Sequence, residues 1–133
     1  MKRLWWLKVV ASCILLVGIW AGANSMTRSS YIAFWSKNRT RYERVVEQCR
    51  SVKASNGIGL DRASYDLAID HTAWIDRDRV FRVKLLVFRW AIDNSYGIVY
   101  QEPASPLPES DPLFEVWGRT TKLADGWYLV EGT

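Results

Sequence analysis

An unbroken apolar run close to the N-terminus limits what the rest of the chain can fold into. Residues 9–20 contain no charged side chain, three basic residues lie among the first eight positions, and Ala21, Gly22 and Ala23 follow the run. This order of basic, apolar and small residues is typical of a secretory signal peptide. Without this segment about 110 residues remain, which is enough for one modest hydrophobic core.

The same segment also has the length of a membrane anchor. Residues 4–23 are mostly apolar, and a stretch of this length can span a bilayer if Lys8 extends toward the interface. The tryptophans at its two ends would then lie where aromatic side chains favour the membrane surface. Both alternatives predict an exported domain: it is membrane-anchored and faces outward, or it is secreted or periplasmic after cleavage near Ala23.

Length and composition predict a single folded domain after this N-terminal segment. A chain of 133 residues has room for one domain, and contents of 49% hydrophobic and 14% aromatic residues argue against disorder. We assign residues 1–23 to the signal peptide or anchor, residues 24–29 to a polar linker and residues 30–133 to one globular α+β domain.

The apolar residues between positions 30 and 53 predict an amphipathic helix. They form one stripe on a helical wheel and comprise Tyr31, Phe34, Trp35, Tyr42, Val45, Val46, Cys49 and Val52. The turn-forming sequence Asn-Gly-Ile-Gly at residues 56–59 ends the helix. Because Cys49 lies on the apolar stripe, we expect its thiol to be buried and unpaired.

The next part of the chain predicts strands. Residues 62–75 fit a strand or, in their first half, a helix, and the pattern leaves both open. Residues 80–92 are rich in β-branched and aromatic side chains, which favours a strand. Its apolar face changes near Leu85 and Leu86, and this predicts either a bulge or a strand that is covered on one face early and on both faces later.

Further strands follow a turn at residues 93–95. Residues 96–101 predict a strand, a proline-rich loop comes next, and residues 114–123 and 127–131 predict a hairpin. Asp125 and Gly126 between the two hairpin strands favour a two-residue primed turn. The predicted fold is α+β: one amphipathic helix packs on a four- to five-stranded antiparallel meander sheet.

Charge is distributed unevenly along the chain. Residues 24–60 carry seven basic and two acidic residues, whereas residues 61–133 carry eight basic and twelve acidic ones. This is not the strong basic footprint of a nucleic-acid-binding domain, so we predict no nucleic acid partner. Lys37, Arg41 and Arg44 lie close together on the helical wheel and are candidates for contact with a membrane surface or a protein partner.

The chemistry-bearing side chains are few. His71 is the only histidine, stands next to Asp70 and is the one catalytic candidate. No Gly-flanked serine completes a nucleophile arrangement with it. The Asp-Arg-Asp sequence at residues 76–78 lacks the further oxygen ligands of a calcium loop. Neither a cofactor nor a metal site is therefore predicted.

Together these features predict a small exported or membrane-anchored domain of the cell envelope. We expect it to bind a protein partner or support an assembly without catalysing a reaction. One alternative is a small-ligand binder whose sheet forms an aromatic-lined pocket, with Trp90, Tyr96, Tyr100 or Trp117 in its wall. A second alternative is a hydrolase-type enzyme that uses His71.

Overall fold

The computed structural model describes residues 2–25, 27–53, 56–89, 95–108, 110–111 and 115–132. The chain divides into two compact units, Met1–Ser36 and Lys37–Thr133. Two helices precede the described strands: α1 spans Lys2–Ser25 and α2 spans Thr27–Ser51. Helix α2 begins in the first unit and ends in the second.

Helix α1 contains the apolar run and exposes apolar side chains in every direction around its axis. The exposed large side chains are Trp5, Trp6, Leu7, Val9, Val10, Ile14, Leu15, Leu16, Val17 and Ile19. A helix that is apolar all round differs from the amphipathic helices of water-soluble domains, which bury one stripe and solvate the other. When only the residues whose backbone and side chains are both described are counted, no helix is both long and apolar enough to cross a membrane.

The stretch expected to be a linker is largely helical. Its first two residues, Asn24 and Ser25, end α1, and residues 27–29 begin α2. Met26 between them lies outside the described residues. The stretch contains neither proline nor glycine, the two residues that oppose a helix most strongly.

In the second unit, α2 buries the predicted stripe against the sheet. Tyr42, Val45, Val46 and Cys49 are buried, as expected for apolar side chains three or four residues apart on one helix face. The Tyr42 ring meets Trp127 edge-on at 6.1 Å between ring centroids. The predicted packing of one amphipathic helix on a sheet is confirmed for this part of the chain.

The end of α2 is held by a side chain from the turn at residues 77–80. Arg77 donates hydrogen bonds to the carbonyl oxygens of Cys49 and Val52, the latter at 2.6 Å. These carbonyls lie at or beyond the last helical turn, where no backbone N–H is available to them. The helix ends at Ser51, and Val52, predicted to continue the stripe, is exposed.

The described sheet has seven strands, which is more than predicted. Their bounds are β1 Gly57–Gly59, β2 Thr72–Asp76, β3 Phe81–Arg89, β4 Ser95–Glu102, β5 Ser110–Asp111, β6 Glu115–Ala124 and β7 Trp127–Gly132. They pair antiparallel in the order β1-β2-β3-β4-β7-β6-β5. The meander prediction is wrong at one point, because β7 inserts between β4 and β6.

The ambiguous segment 62–75 contains both structures that were left open. Arg62–Leu67 forms a short 3-10 helix, and β2 follows at Thr72. The bulge predicted in the long strand is confirmed, since the pairing of β3 with β4 shifts register between Leu86 and Phe88. The other alternative, coverage of one face early and of both faces later, is wrong, because every residue from Arg82 to Leu86 is buried whereas Val87 and Phe88 are half-buried and Arg89 is exposed.

The proline-rich loop covers the sheet face that is turned away from α2. Leu107 packs against the buried cluster of Leu86, Val99 and Val130. Gln101 of β4 donates from its side-chain amide to the carbonyl and hydroxyl oxygens of Ser105, at 2.8 and 2.6 Å. The loop therefore closes a second, smaller core beneath the sheet.

A buried ion pair fixes the far end of the same loop. The Lys84 ammonium lies 2.8 Å from the Asp111 carboxylate, and the two side chains are only 11% and 4% exposed. Two residues before Lys84 on the same strand, Arg82 donates hydrogen bonds to the side chain of Gln101 at 2.6 and 2.8 Å and to the carboxylate of Asp76 at 2.9 Å. Because the charged groups are paired, burying them beneath the loop is tolerated.

The hairpin forms as predicted, but its turn is not a primed one. Gly126 has φ +74°, and among the described non-glycine residues only His71 has a positive φ. Asp125 therefore keeps a negative φ, whereas both primed types need a positive φ at the first turn position. A register shift in β6 between Lys122 and Ala124 accompanies the turn, as expected where a bulge restores the strand twist.

Cys49 is buried and unpaired as predicted, and burial raises the pKa of its thiol from 9.0 to about 11. The unfolded thiol should ionise above pH 9 while the folded one stays protonated. Rising pH therefore favours the unfolded state between pH 9 and 11. We expect this effect to cost about 1.4 kcal/mol of unfolding free energy at pH 10.

The measurement is urea unfolding at pH 8 and pH 10 for the native chain and for Cys49→Ala. The native chain should lose about 1.4 kcal/mol more than the variant on going to pH 10. Burial also raises the pKa of Tyr42, but that effect is common to both proteins and cancels. Identical pH dependence in the two proteins would show that Cys49 does not resist ionisation.

Candidate functional site

The second unit contains an open groove beside α2. Its volume is about 560 Å³, within the range of small-molecule sites. The residues that line it are Arg39, Thr40, Glu43, Arg44, Val46, Glu47, Arg50, Tyr100, Asp125 and Trp127. One wall is thus the polar flank of the helix, and the other is formed by β4, β7 and the hairpin turn.

Helix periodicity explains the first wall. Arg39, Glu43, Glu47 and Arg50 follow one another at spacings of three or four residues, so they share a face of α2. This face adjoins the stripe that is buried against the sheet, and Val46 belongs to both. The groove therefore opens where the buried side of the helix meets its solvated side.

Arg50 is held firmly at one end of the groove. Its guanidinium lies 2.8 Å from the Glu102 carboxylate and donates a hydrogen bond of 3.2 Å to the Tyr100 hydroxyl. It also stacks over the rings of Phe81 and Tyr100, at 5.5 and 5.9 Å from their centroids. A cation with a carboxylate and two ring faces around it loses little further freedom when a ligand arrives.

Most other charges of the groove are paired as well. Arg39 lies 2.9 Å from Glu43, and Lys122 outside the groove lies 3.0 Å from Asp125. Glu47 lies 3.6 Å from Arg50. No hydrogen bond or ion pair joins Arg44 to another residue of the described ranges. Of the cations in the groove wall, Arg44 is therefore the one without a carboxylate partner among the described residues.

Two aromatic residues form the floor. Tyr100 and Trp127 are direct partners in the β4–β7 register, and their ring centroids are 5.0 Å apart. Trp127 is nearly fully buried because Tyr42 of α2 lies against its other side. The floor is therefore rigid, and Tyr100 contributes its more accessible surface.

Of the aromatic residues predicted to line a pocket, the structure places Tyr100 in the groove. Tyr96 lies elsewhere on β4, with its ring 6.3 Å from Phe88. Trp90 lies outside the described residues, and for Trp117 only the backbone of β6 is described. Trp127 was missed, because its place opposite Tyr100 depends on a strand pairing that local sequence does not reveal.

The predicted cationic stripe is divided between two environments. Arg41 donates to both carboxylate oxygens of Asp66, at 2.5 and 3.0 Å, and also to Asn38 and to the Ala63 carbonyl. This contact lowers the pKa of the Asp66 carboxyl and raises the pKa of Arg41. Arg44 lines the groove, and Lys37 is exposed on the surface.

His71 lies at a turn between the 3-10 helix and β2. It is exposed, has φ +54°, and stacks face to face on Tyr65 at 4.3 Å between ring centroids. The carboxylate of Asp70 accepts hydrogen bonds from Trp74 Nε1 at 2.7 Å and from the Thr72 N–H at 3.2 Å. The nearest carboxylate in sequence is thus engaged by other donors, and the structure brings no hydrogen-bonded acid–base pair to His71 within the described ranges.

The acidic turn at residues 76–78 has a structural role. One oxygen of Asp76 accepts from the Asp78 N–H at 3.2 Å, and the other from Arg82 at 2.9 Å. Among the residues that the structure describes, no group of three or more His, Cys, Asp or Glu side chains is arranged to hold a metal ion.

Two features of the molecule therefore bear on function: the exposed apolar surface of α1 and the groove beside α2. The first concerns where the chain is placed, and the second concerns what it can bind. Known proteins add nothing to either, since no family model, no curated protein and no solved structure matches this chain.

Proposed function

We propose that the chain is an exported, membrane-associated binding or assembly domain of the cell envelope, without catalytic activity of its own. In this proposal α1 enters a lipid bilayer and the domain formed by residues 37–133 is displayed outside the cytoplasm. The observation that carries the proposal is the exposure of ten large apolar side chains around α1.

The energetic reason is the hydrophobic effect. Burying a large apolar side chain contributes roughly 1.5–3 kcal/mol, so the exposed set on α1 represents on the order of 15 kcal/mol. A whole domain of this size is stabilised by about 5–15 kcal/mol. Because these side chains point in all directions, a single protein surface would cover only part of them. A lipid environment surrounds the helix completely.

The N-terminal end of α1 supports the proposed orientation, in which this end lies on the cytoplasmic side and the domain lies outside. Trp5 and Trp6 pack edge to face at 5.7 Å near the end that carries the basic residues. Tryptophan and lysine at one end of an apolar segment favour the interface between lipid and water, and basic residues before such a segment favour the cytoplasmic side. Cleavage near Ala23 would make α1 a transient signal, whereas retention would make it an anchor.

The three cations of α2 belong to the same proposal, as contacts with anionic lipid or with a protein partner. Each basic group near an anionic membrane surface contributes about 1 kcal/mol. Lys37 and Arg44 are exposed and suited to this role. The share of Arg41 is smaller, because Asp66 already neutralises it.

The test is flotation with uncharged phosphatidylcholine vesicles. The full chain should float with the vesicles, because α1 partitions into lipid. Replacing Leu15 and Leu16 with Glu should abolish flotation, since each charge in the middle of an inserted helix costs about 2.5–3.5 kcal/mol. The matched control is the double change Ser29→Glu and Gln48→Glu, which adds the same charge at exposed positions of α2.

Equal flotation of the two double variants, or no flotation of the full chain, would contradict the lipid role of α1. The intact mass of the protein after export from cells separates the two branches of the proposal. Loss of residues 1–23 indicates a signal peptide, and the full mass indicates an anchor.

A further inference from the structure

We propose that the groove beside α2 binds a small organic acid that carries a single carboxylate, and that Arg44 is its anchoring residue. The proposal is independent of the membrane role of α1, because it rests on the volume, the charge pairing and the floor of a groove that lies within residues 37–133. It gives Arg44 a second role beside the anionic contact proposed above for the cations of α2.

The ion pairs among the groove residues indicate which charge a ligand should carry. Arg39, Arg50 and Asp125 each have an oppositely charged partner within 3.0 Å, whereas Arg44 has none among the described residues. Glu47 shares Arg50 with Glu102, so one carboxylate on the ligand would serve as the partner of Arg44. Arg favours this partner because its planar guanidinium donates two parallel hydrogen bonds to it.

A doubly charged ligand fits less well. Glu43, Glu47 and Asp125 line the same groove as Arg44. A second negative charge on the ligand would meet these carboxylates, and the described wall holds no second unpaired cation to offset the repulsion. Like charges brought together in this way discriminate against the wrong ligand. The geometry therefore favours a monocarboxylate over a phosphate dianion.

The floor of the groove indicates the shape and polarity of the part of the ligand that lies beyond its carboxylate. Tyr100 offers ring surface, the nearly buried Trp127 and Val46 lie behind it, and Thr40 supplies a hydroxyl group. The contacts of Arg50 and Trp127 hold the Tyr100 ring in place before any ligand binds. A flat, uncharged body next to the carboxylate matches this preorganised surface.

The experiment uses phenylacetate as the probe and phenylacetamide as its neutral counterpart. Binding is followed by saturation-transfer NMR with the full chain in an uncharged detergent at low salt. Phenylacetate should bind saturably at millimolar concentrations and phenylacetamide at least about tenfold more weakly, as expected when a charge-assisted hydrogen bond is lost. Inorganic phosphate should compete poorly.

Three variants separate the groove from general charge effects. Arg44→Gln should weaken phenylacetate binding about tenfold or more, and Arg44→Lys should restore part of it. Arg62→Gln removes the same charge at an exposed position of the 3-10 helix outside the groove and should leave binding unchanged. Thermal unfolding of each variant verifies that the fold persists.

Several results would overturn the proposal: no saturable binding of phenylacetate, equal binding of the acid and the amide, or equal losses in Arg44→Gln and Arg62→Gln. Tighter binding of phosphate than of phenylacetate would also overturn the assignment to a monocarboxylate.

Discussion

Replacing Asp111 with Ala is expected to lower the free energy of unfolding by about 3–5 kcal/mol. Asp111 and Lys84 form an ion pair of 2.8 Å, and both side chains are nearly inaccessible to water. Without the carboxylate, the Lys84 ammonium stays beneath the proline-rich loop with its charge uncompensated. Urea or thermal unfolding of the variant measures the loss directly.

Two controls identify the cause. The double change Lys84→Met and Asp111→Leu should recover most of the lost stability, because it removes both charges together and leaves none unpaired. Glu43→Ala breaks the exposed pair with Arg39 and should cost no more than about 0.5 kcal/mol. If the double variant were as unstable as Asp111→Ala, lost packing of the loop would be responsible instead of the buried charge.

Replacing Gly126 with Val is expected to destabilise the domain by about 3 kcal/mol. Gly126 has φ +74°, and a β-branched side chain is strongly disfavoured there. Space is lacking as well, since an added Cβ would lie 2.9 Å from the Gln101 carbonyl oxygen and 3.1 Å from the Tyr100 ring. Backbone strain and a close contact with the neighbouring strand act together.

Gly59→Ala in β1 is the matched control for that change. No atom lies within 4 Å of a Cβ added at Gly59, and its φ is not in the positive range. A change within about 0.5 kcal/mol is therefore expected, with part of any gain arising from a less flexible unfolded chain. Equal melting temperatures for the native chain and Gly126→Val would contradict the turn conformation.

Local periodicity was enough to predict the elements that carry most of the core. The apolar stripe of α2 around Tyr42 and Cys49 follows from helix geometry alone, and the strand at residues 81–89 follows from its β-branched composition. The change of phase near Leu86 also had a local signature, because a bulge alters which face the apolar residues occupy.

Long-range pairing could not be predicted in the same way. The short edge strands β1 and β5 contain three and two residues, too few to show a period. The insertion of β7 beside β4 depends on contacts between residues about thirty positions apart. The turn at Gly126 was placed correctly, but its type depends on the register irregularity in β6, which the Asp-Gly pair does not encode.

The arrangement of the candidate groove could not be predicted from local sequence either. A helical wheel brings Lys37, Arg41 and Arg44 together, but it cannot show that Asp66, 25 residues further along the chain, removes Arg41 from that surface. Similarly, nothing near Trp127 in sequence points to Tyr100. Pockets between elements are products of tertiary structure, so the sequence supplied their residue types without their arrangement.

The position of β7 has a consequence for when this domain can fold. It comes last among the described strands, yet it lies inside the sheet, with β4 on one side and β6 on the other. A chain that emerges N-terminus first, from a ribosome or through a translocation pore, therefore has no partner for the exposed edge of β4 until this final strand arrives. The pairs from β1 to β4 join consecutive strands and can form earlier, but the pairing of β4 with β7 is non-local and slow, so the sheet is completed only after the last described strand has emerged.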